Sequence, residues 1–176
     1  MPDLKCILLV EDDPKDEELT LAALAEHNLA NEVVVVRDGE AALNYLHCQG
    51  EFAARTNGNP VVVLLDIRMP KVDGIEFLRH TRNSEELKAI PVAIVSGSCE
   101  RSNIEACFSL GVNTCVVKPL DFDKFMEAMK SLGLSWVVVK KGLDAFWGMV
   151  NEPPRGERQK AGVTERAGLD VETAKS

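Results

Sequence analysis

The sequence predicts a doubly wound α/β domain, a parallel sheet of five strands in the order 2-1-3-4-5 with helices on both faces. Three observations predict it. Short apolar runs alternate with runs of helical periodicity, five of each. The apolar runs are near-continuous in Val, Ile and Leu, as strands covered on both faces require. The chain has 176 residues, of which 45% are hydrophobic, enough for one well-filled domain and a tail.

The first strand is ILLV, residues 7–10. Asp13 followed by Pro14 then has the form of a helix cap with proline at the first helical position. Leu19, Ala22, Ala23 and Glu26 recur at helical spacing, and Leu21 and Leu24 widen that apolar face. EVVVV, residues 32–36, is the second strand. Asp38 and Gly39 open a second helix through Ala41, Ala42, Tyr45 and Leu46. HCQGEFAARTNGNP is polar and rich in Gly and Asn, so a long loop is expected there. VVVLLD, residues 61–66, is the third strand. GIEFLRHTRN forms the third helix, with Ile75 and Leu78 facing in and Phe77 a further candidate. IPVAIVS is the fourth strand, opened by Pro91. RSNIEACFSLG is the fourth helix, stopped by Gly111. TCVV is the fifth strand. DFDKFMEAMKSLG is the fifth helix, capped by Asp121, with Phe122, Phe125, Met126 and Met129 on one core-facing stripe. The strand order makes the fold flavodoxin-like. Residues 1–133 are expected to form this domain. Residues 134–150, which hold Trp136 and Trp147, read as an apolar extension against the domain or a partner. Residues 151–176 are charged and rich in Pro and Gly, the composition of a disordered tail.

Bulk properties exclude several functions. The formal net charge is -8, which argues against nonspecific nucleic-acid binding and leaves DNA off the list of expected partners. No apolar run approaches the roughly 20 residues that span a bilayer, so no membrane contact is expected. The N-terminal apolar stretch is short and followed at once by acids, unlike an export signal. The five cysteines, Cys6, Cys48, Cys99, Cys107 and Cys115, form no C-x-x-C pair. That pattern predicts reduced thiols and a cytoplasmic protein. His27, His47 and His80 share no metal-ligand spacing.

The chemistry collects where such a sheet binds ligands, beyond the carboxyl ends of its strands. Glu11, Asp12 and Asp13 follow strand one. Asp66 follows strand three. Ser96 ends strand four, and Lys118 with Pro119 follows strand five. In the expected order strands one and three are neighbours, so Asp66 lies beside Glu11 and Asp12. A carboxylate at the end of so apolar a strand is costly unless something cationic meets it. An all-oxygen donor set with room for water suits Mg²⁺. Lys118 can neutralise a carboxylate or hold a phosphoryl oxygen, and a serine hydroxyl can donate to the same oxygen. The set describes a place to put a phosphoryl group on Asp66, since carboxylates are nucleophiles for phosphoryl transfer.

VEDDP at strand one, LLDIRMPKVDG at strand three, VSGS at strand four and VVKP at strand five together resemble the receiver domain of two-component response regulators. The resemblance covers residues 5–132. It implies that Asp66 is the phosphoacceptor, loaded from the phosphohistidine of a histidine kinase. It implies that Glu11, Asp12, Asp66 and the backbone carbonyl of Arg68 hold Mg²⁺. It implies that Lys118 binds the phosphoryl oxygen and that Ser96 bonds it and shifts as a switch. The long segment before strand three and the tryptophan-bearing piece after helix five are similar to small single-domain regulators that pair with phytochrome-type kinases. Two departures stand out. The switch position three residues before Lys118 is commonly aromatic in that family and here is Cys115, read as a small filler. The residue two after Asp66 is Arg68, long and cationic.

Three functions follow as expectations. The first is a phosphorylation-controlled binding module without turnover of its own, signalling through a surface around helix four, strand five and helix five to a partner or to a second copy of itself. The second is an aspartyl-phosphate hydrolase or phosphotransferase, which resembles D-x-D enzymes but has Arg68 where their second aspartate stands. Steady turnover of a phosphate ester would mark it. The third is a receiver-like scaffold that never takes a phosphoryl group.

Overall fold

The computed structural model describes residues 5–26, 31–97, 100–112 and 114–134. The expectations for Trp136, Trp147, His27, Cys99 and the segments 135–150 and 151–176 lie outside the described residues. Five parallel strands, β1 (Ile7–Val10), β2 (Val33–Val36), β3 (Val62–Leu65), β4 (Val92–Ser96) and β5 (Cys115–Val117), form one sheet in the order β2-β1-β3-β4-β5. Five α-helices alternate with them: α1 (Pro14–Glu26), α2 (Gly39–Leu46), α3 (Gly74–Asn83), α4 (Arg101–Ser109) and α5 (Phe122–Ser131). Fold class and strand order are as the sequence predicts.

Alternation along each strand divides the core in two. Leu8, Val10, Val63, Leu65 and Ile94 point to one face and pack with Tyr45 of α2, Phe77 and Leu78 of α3 and Cys107 of α4. Ile7, Leu9, Val62, Leu64, Ala93 and Val95 point to the other and pack with Leu24 of α1 and Phe125, Met126 and Met129 of α5. Both faces are dry, so every position of β1, β3 and β4 is buried. Phe77, named only as a further candidate, is fully buried.

The helices begin where side chains accept their free backbone N–H groups. Asp13 Oδ1 accepts from the N–H of Lys15 at 2.8 Å and of Asp16 at 3.2 Å. Asp38 caps α2 by accepting from Ala41, Asp73 caps α3 by accepting from Glu76, and Asp121 caps α5 by accepting from Lys124. Gly111, just past α4, has φ +84°, the left-handed conformation that glycine takes without strain.

One expectation is corrected. Leu19 is 46% exposed and does not face the core. The buried positions of α1 are Thr20 and Leu24, with Leu21 half-buried, so the inward face lies one residue further along than the spacing of apolar residues suggests. The segment 47–60 is the long loop that the sequence predicts, and side chains hold it in place. It holds a short 3₁₀ turn, Gly50–Phe52. Arg55 ties it down: its Nε donates to the Tyr45 carbonyl at 3.0 Å, and its Nη1 donates to Asn57 Oδ1 and to the Gly58 carbonyl. The Arg55 guanidinium also lies over the Tyr45 ring, 4.1 Å from its centroid. Phe52 meets that ring edge-on, and Asn57 Nδ2 donates to the Tyr45 hydroxyl at 3.3 Å.

Candidate functional site

The carboxyl ends of β1, β3, β4 and β5 meet at one rim, because parallel strands end on the same side. β1 hands over to Glu11, whose N–H donates to the Val36 carbonyl at 3.0 Å. β3 hands over to Asp66, whose N–H donates to the Val10 carbonyl at 3.0 Å. β5 hands over to Lys118, whose N–H donates to the Ser96 carbonyl at 2.9 Å. Each side chain is thus aimed by a ladder bond that continues past its strand. The backbone N–H groups of Ile67 and Arg68 lie on the side of the Asp66 carboxylate and favour its charged form.

Carboxylate oxygens of Glu11, Asp12 and Asp66 lie within 4.8 Å of one another. The Lys118 ammonium sits among the acids, with Nζ 2.5 Å from Glu11 Oε2, 2.9 Å from Asp16 Oδ2 and 3.5 Å from Asp66 Oδ2. Glu11, Asp66 and Ser96 are buried and Asp12 is half-buried. Glu11 also accepts from the Asp13 N–H at 3.1 Å through its other oxygen.

The electrostatics follow from these distances. Burial pushes the Glu11 and Asp66 carboxyls above their ordinary values, and Lys118 only partly offsets it. Burial also works against the Lys118 charge, but hydrogen bonds to Glu11 and Asp16 and the charge of Asp66 outweigh it, so the ammonium titrates above its ordinary value. The asymmetry has a simple cause: one ammonium faces several carboxylates, while each carboxylate shares that single ammonium. The rim is therefore short of positive charge. An all-oxygen trio of this size suits a hard divalent cation, which fits the expectation of Mg²⁺ in its donor chemistry.

Ser96 ends β4 beside this rim, opposite Val117 in the β5 register. Arg68 turns its guanidinium to Glu100, the residue before α4, in an ion pair exposed at the surface. Cys115 lies on β5, half-buried against the core face shared by α2, α3 and α4. The four described cysteines, Cys6, Cys48, Cys107 and Cys115, are free thiols. Sequence reasoning missed Asp16. Its only signal is its place one turn into α1, and its approach to Lys118, 102 residues away, depends on how that helix docks.

Comparison with known proteins agrees with this geometry. A family model described as the response regulator receiver domain matches residues 7–130. Response regulator Rcp1 of Synechocystis is 32% identical over 133 residues, which cover 76% of this chain and 89% of that protein. The crystal structure of the Mn²⁺-bound form of Rcp1 superposes with a TM-score of 0.63 at 33% identity, covering 77% of this chain and 98% of that one. The bacteriophytochrome response regulator AtBRR is 48% identical with a TM-score of 0.74, covering 80% of this chain and all 100% of that one. The phosphorylated cyanobacterial phytochrome response regulator RcpA is 36% identical with a TM-score of 0.63, covering 76% and 94%. A match across most of the described sheet and helices, with an acidic trio and a lysine gathered at the strand ends, makes this chain a member of the response regulator receiver domain family.

Proposed function

We propose that the chain is a single-domain response regulator that accepts a phosphoryl group on Asp66 from a histidine kinase and signals through a phosphorylation-dependent binding surface. The observation that carries this reading is the Asp66 carboxylate, 3.5 Å from the Lys118 ammonium and within the acidic trio.

The Asp66 oxygen attacks phosphorus as the bond from phosphorus to the donor's imidazole nitrogen breaks. The electron pair of that bond leaves with the imidazole, which is kept neutral by a proton from solvent. An aspartyl phosphate remains. The backbone N–H groups of Ile67 and Arg68 favour the charged form of Asp66, which is the form that attacks. Lys118 donates to a phosphoryl oxygen, and the Ser96 hydroxyl donates to the same oxygen. Glu11, Asp12, Asp66 and the backbone carbonyl of Arg68 would hold Mg²⁺, which would supply the positive charge that offsets the carboxylates as a phosphoryl group approaches. Nothing in the donor set acts as a second acid or base two residues after Asp66, where Arg68 is engaged with Glu100. The protein is thus a phosphoacceptor with at most slow self-dephosphorylation.

Likeness to phytochrome response regulators supports a phytochrome-type kinase as the donor. The exposed Phe108 of α4 and Val117 of β5, 50% and 47% accessible, support an output surface around α4, β5 and α5 for a partner or a second copy. Among the described residues no helix is long and apolar enough to cross a membrane.

Intact mass after incubation with acetyl phosphate tests the reading. The parent gains one phosphoryl group only with Mg²⁺, and Asp66→Asn gains none. Label that persists in Asp66→Asn would move the acceptor elsewhere, and no label in the parent from acetyl phosphate or from a phosphorylated histidine kinase would leave the scaffold reading.

A further inference from the structure

Lys118 has three N–H donors, and three carboxylates surround it. Glu11 Oε2 is 2.5 Å away, Asp16 Oδ2 is 2.9 Å away and Asp66 Oδ2 is 3.5 Å away. The ammonium is therefore engaged most closely with two acids that are not the proposed acceptor. A phosphoryl oxygen arriving at Asp66 draws the ammonium toward it, and the two shorter contacts, to Glu11 and Asp16, resist that movement.

The three contacts differ in what opening them costs. The Glu11 side chain is 2% exposed, and stripped of its lysine it would be left as a charge away from water. The contact to Asp66, at 3.5 Å, is the longest and passes to the phosphoryl oxygen as the carboxylate reacts. The Asp16 side chain is 36% exposed, so water can replace the ammonium. Asp16 also lies in the first turn of α1, where the helix dipole favours a carboxylate. Its backbone is fixed by donation to Asp13 Oδ1, so the side chain can swing out without unwinding the helix. The cheapest contact to open is the one to Asp16.

We infer that Asp16 is a positioning residue that detains Lys118 in the unphosphorylated protein and must be displaced by the incoming phosphoryl group. It acts through Lys118 and does not touch the reacting atoms. Its strength of hold sets how readily the domain accepts a phosphoryl group. In the phosphorylated protein the Asp16 carboxylate is returned to solvent at the start of α1, which changes the charge that helix presents. The inference rests on the reading of Asp66 as phosphoacceptor.

The test is the rate of Mg²⁺-dependent labelling by acetyl phosphate in the full chain, for the parent, Asp16→Asn and Asp16→Glu. Asp16→Asn keeps the size of the side chain and removes its charge. The half-saturating donor concentration falls about two- to fivefold in Asp16→Asn, the scale of one part-exposed ion pair. The rate at saturation is unchanged, because the contact opens on binding. Asp16→Glu restores the parent value. The fall survives at about 0.5 M salt, where effects of distant exposed charges are screened. A second readout is independent of turnover. Beryllofluoride, a phosphoryl mimic, raises the melting temperature at a correspondingly lower concentration in Asp16→Asn than in the parent. An unchanged half-saturation overturns the inference. So does a rise, which would mean that Asp16 presents Lys118 to the donor, and so does an effect that disappears in salt, which would mean long-range charge alone. In each of these the parent still labels. Failure of the parent to label from either acetyl phosphate or a phosphorylated kinase overturns the phosphoacceptor reading and this inference together.

Discussion

Asp66 and Glu11 are held at a cost that the domain recovers only when positive charge arrives. Burial raises their pKa above the ordinary 3.8 and 4.5. A carboxyl whose folded value exceeds its unfolded value binds protons more readily in the native state, so it favours folding at low pH and opposes it once ionised. The opposition is therefore present at neutral pH and fades as pH falls through the raised values. Lys118 has the opposite sense. Its raised value means that its contribution is complete below 10.5 and is lost only in strong alkali. Without divalent cation, Asp66→Asn is expected to melt a few degrees above the parent at pH 7, with the gap narrowing on acidification. If the acidic trio holds Mg²⁺ as proposed, the ion at about 100 times its dissociation constant is expected to stabilise the parent by about 2.7 kcal/mol and the variant by much less. Melting curves with and without Mg²⁺ across pH check this; a variant that melts below the metal-free parent at pH 7 contradicts it. That Glu11, Asp66 and Lys118 share a rim was legible in the sequence because each directly follows a strand, with Asp12 one residue beyond, and the ends of parallel strands lie together. Asp16 was not, because a helical residue reaches that rim only through the docking angle of α1. The Arg68–Glu100 pair was hidden for a similar reason: nothing local to Arg68 says that the start of α4 passes close by.

At the scale of elements, α3 seats against the end of β3 through Gly74. Its N–H donates to the Ile67 carbonyl at 2.9 Å. A Cβ at Gly74 would lie 2.5 Å from the Asp66 carbonyl oxygen and 2.8 Å from Ile67 Cα, both backbone atoms that cannot step aside. Gly74→Ala is therefore expected to cost about 1–3 kcal/mol and to slow Mg²⁺-dependent labelling, because the strain falls on the backbone that aims Asp66. Denaturant unfolding and labelling rates measured on the same sample check it, and unchanged values in both would show that α3 can tilt away freely. The boundaries of α3 were legible to the residue, since Gly74–Asn83 is a continuous helical pattern ended by polar residues. The inward face of α1 was not. Thr20 is buried and Leu19 is exposed, an inversion that periodicity cannot detect when apolar residues run consecutively, as they do from Leu21 to Ala25. The way residues 47–60 are held was not legible, because it comes from one side chain, Arg55, reaching back to α2. Truncation in Arg55→Ala removes those bonds and the stacking on Tyr45, and a loop freed in this way is expected to be cut by protease well before the sheet unfolds. Equal cleavage rates in parent and variant would show that Phe52 and Asn57 hold the loop without it.

At the scale of the whole molecule, two apolar layers sandwich one sheet, and the reactive rim draws on β1, β3, β4, β5 and the first turn of α1. The Lys118–Asp16 contact spans 102 residues of sequence, nearly the full length of the domain. A contact over such a separation carries a large loop-closure cost that pairing of the intervening strands reduces. The consequence concerns synthesis. A chain still being made on the ribosome exposes Glu11, Asp12 and Asp66 long before it exposes Lys118, and β5 joins the sheet last. Ribosome-bound chains arrested so that β5 remains inside the exit tunnel are therefore expected to take no label from acetyl phosphate and Mg²⁺. Chains in which β5 and α5 have emerged are expected to take it. Labelling a series of arrested lengths would reveal a step rather than a slope, and the position of that step marks when the newborn domain first becomes able to receive a signal.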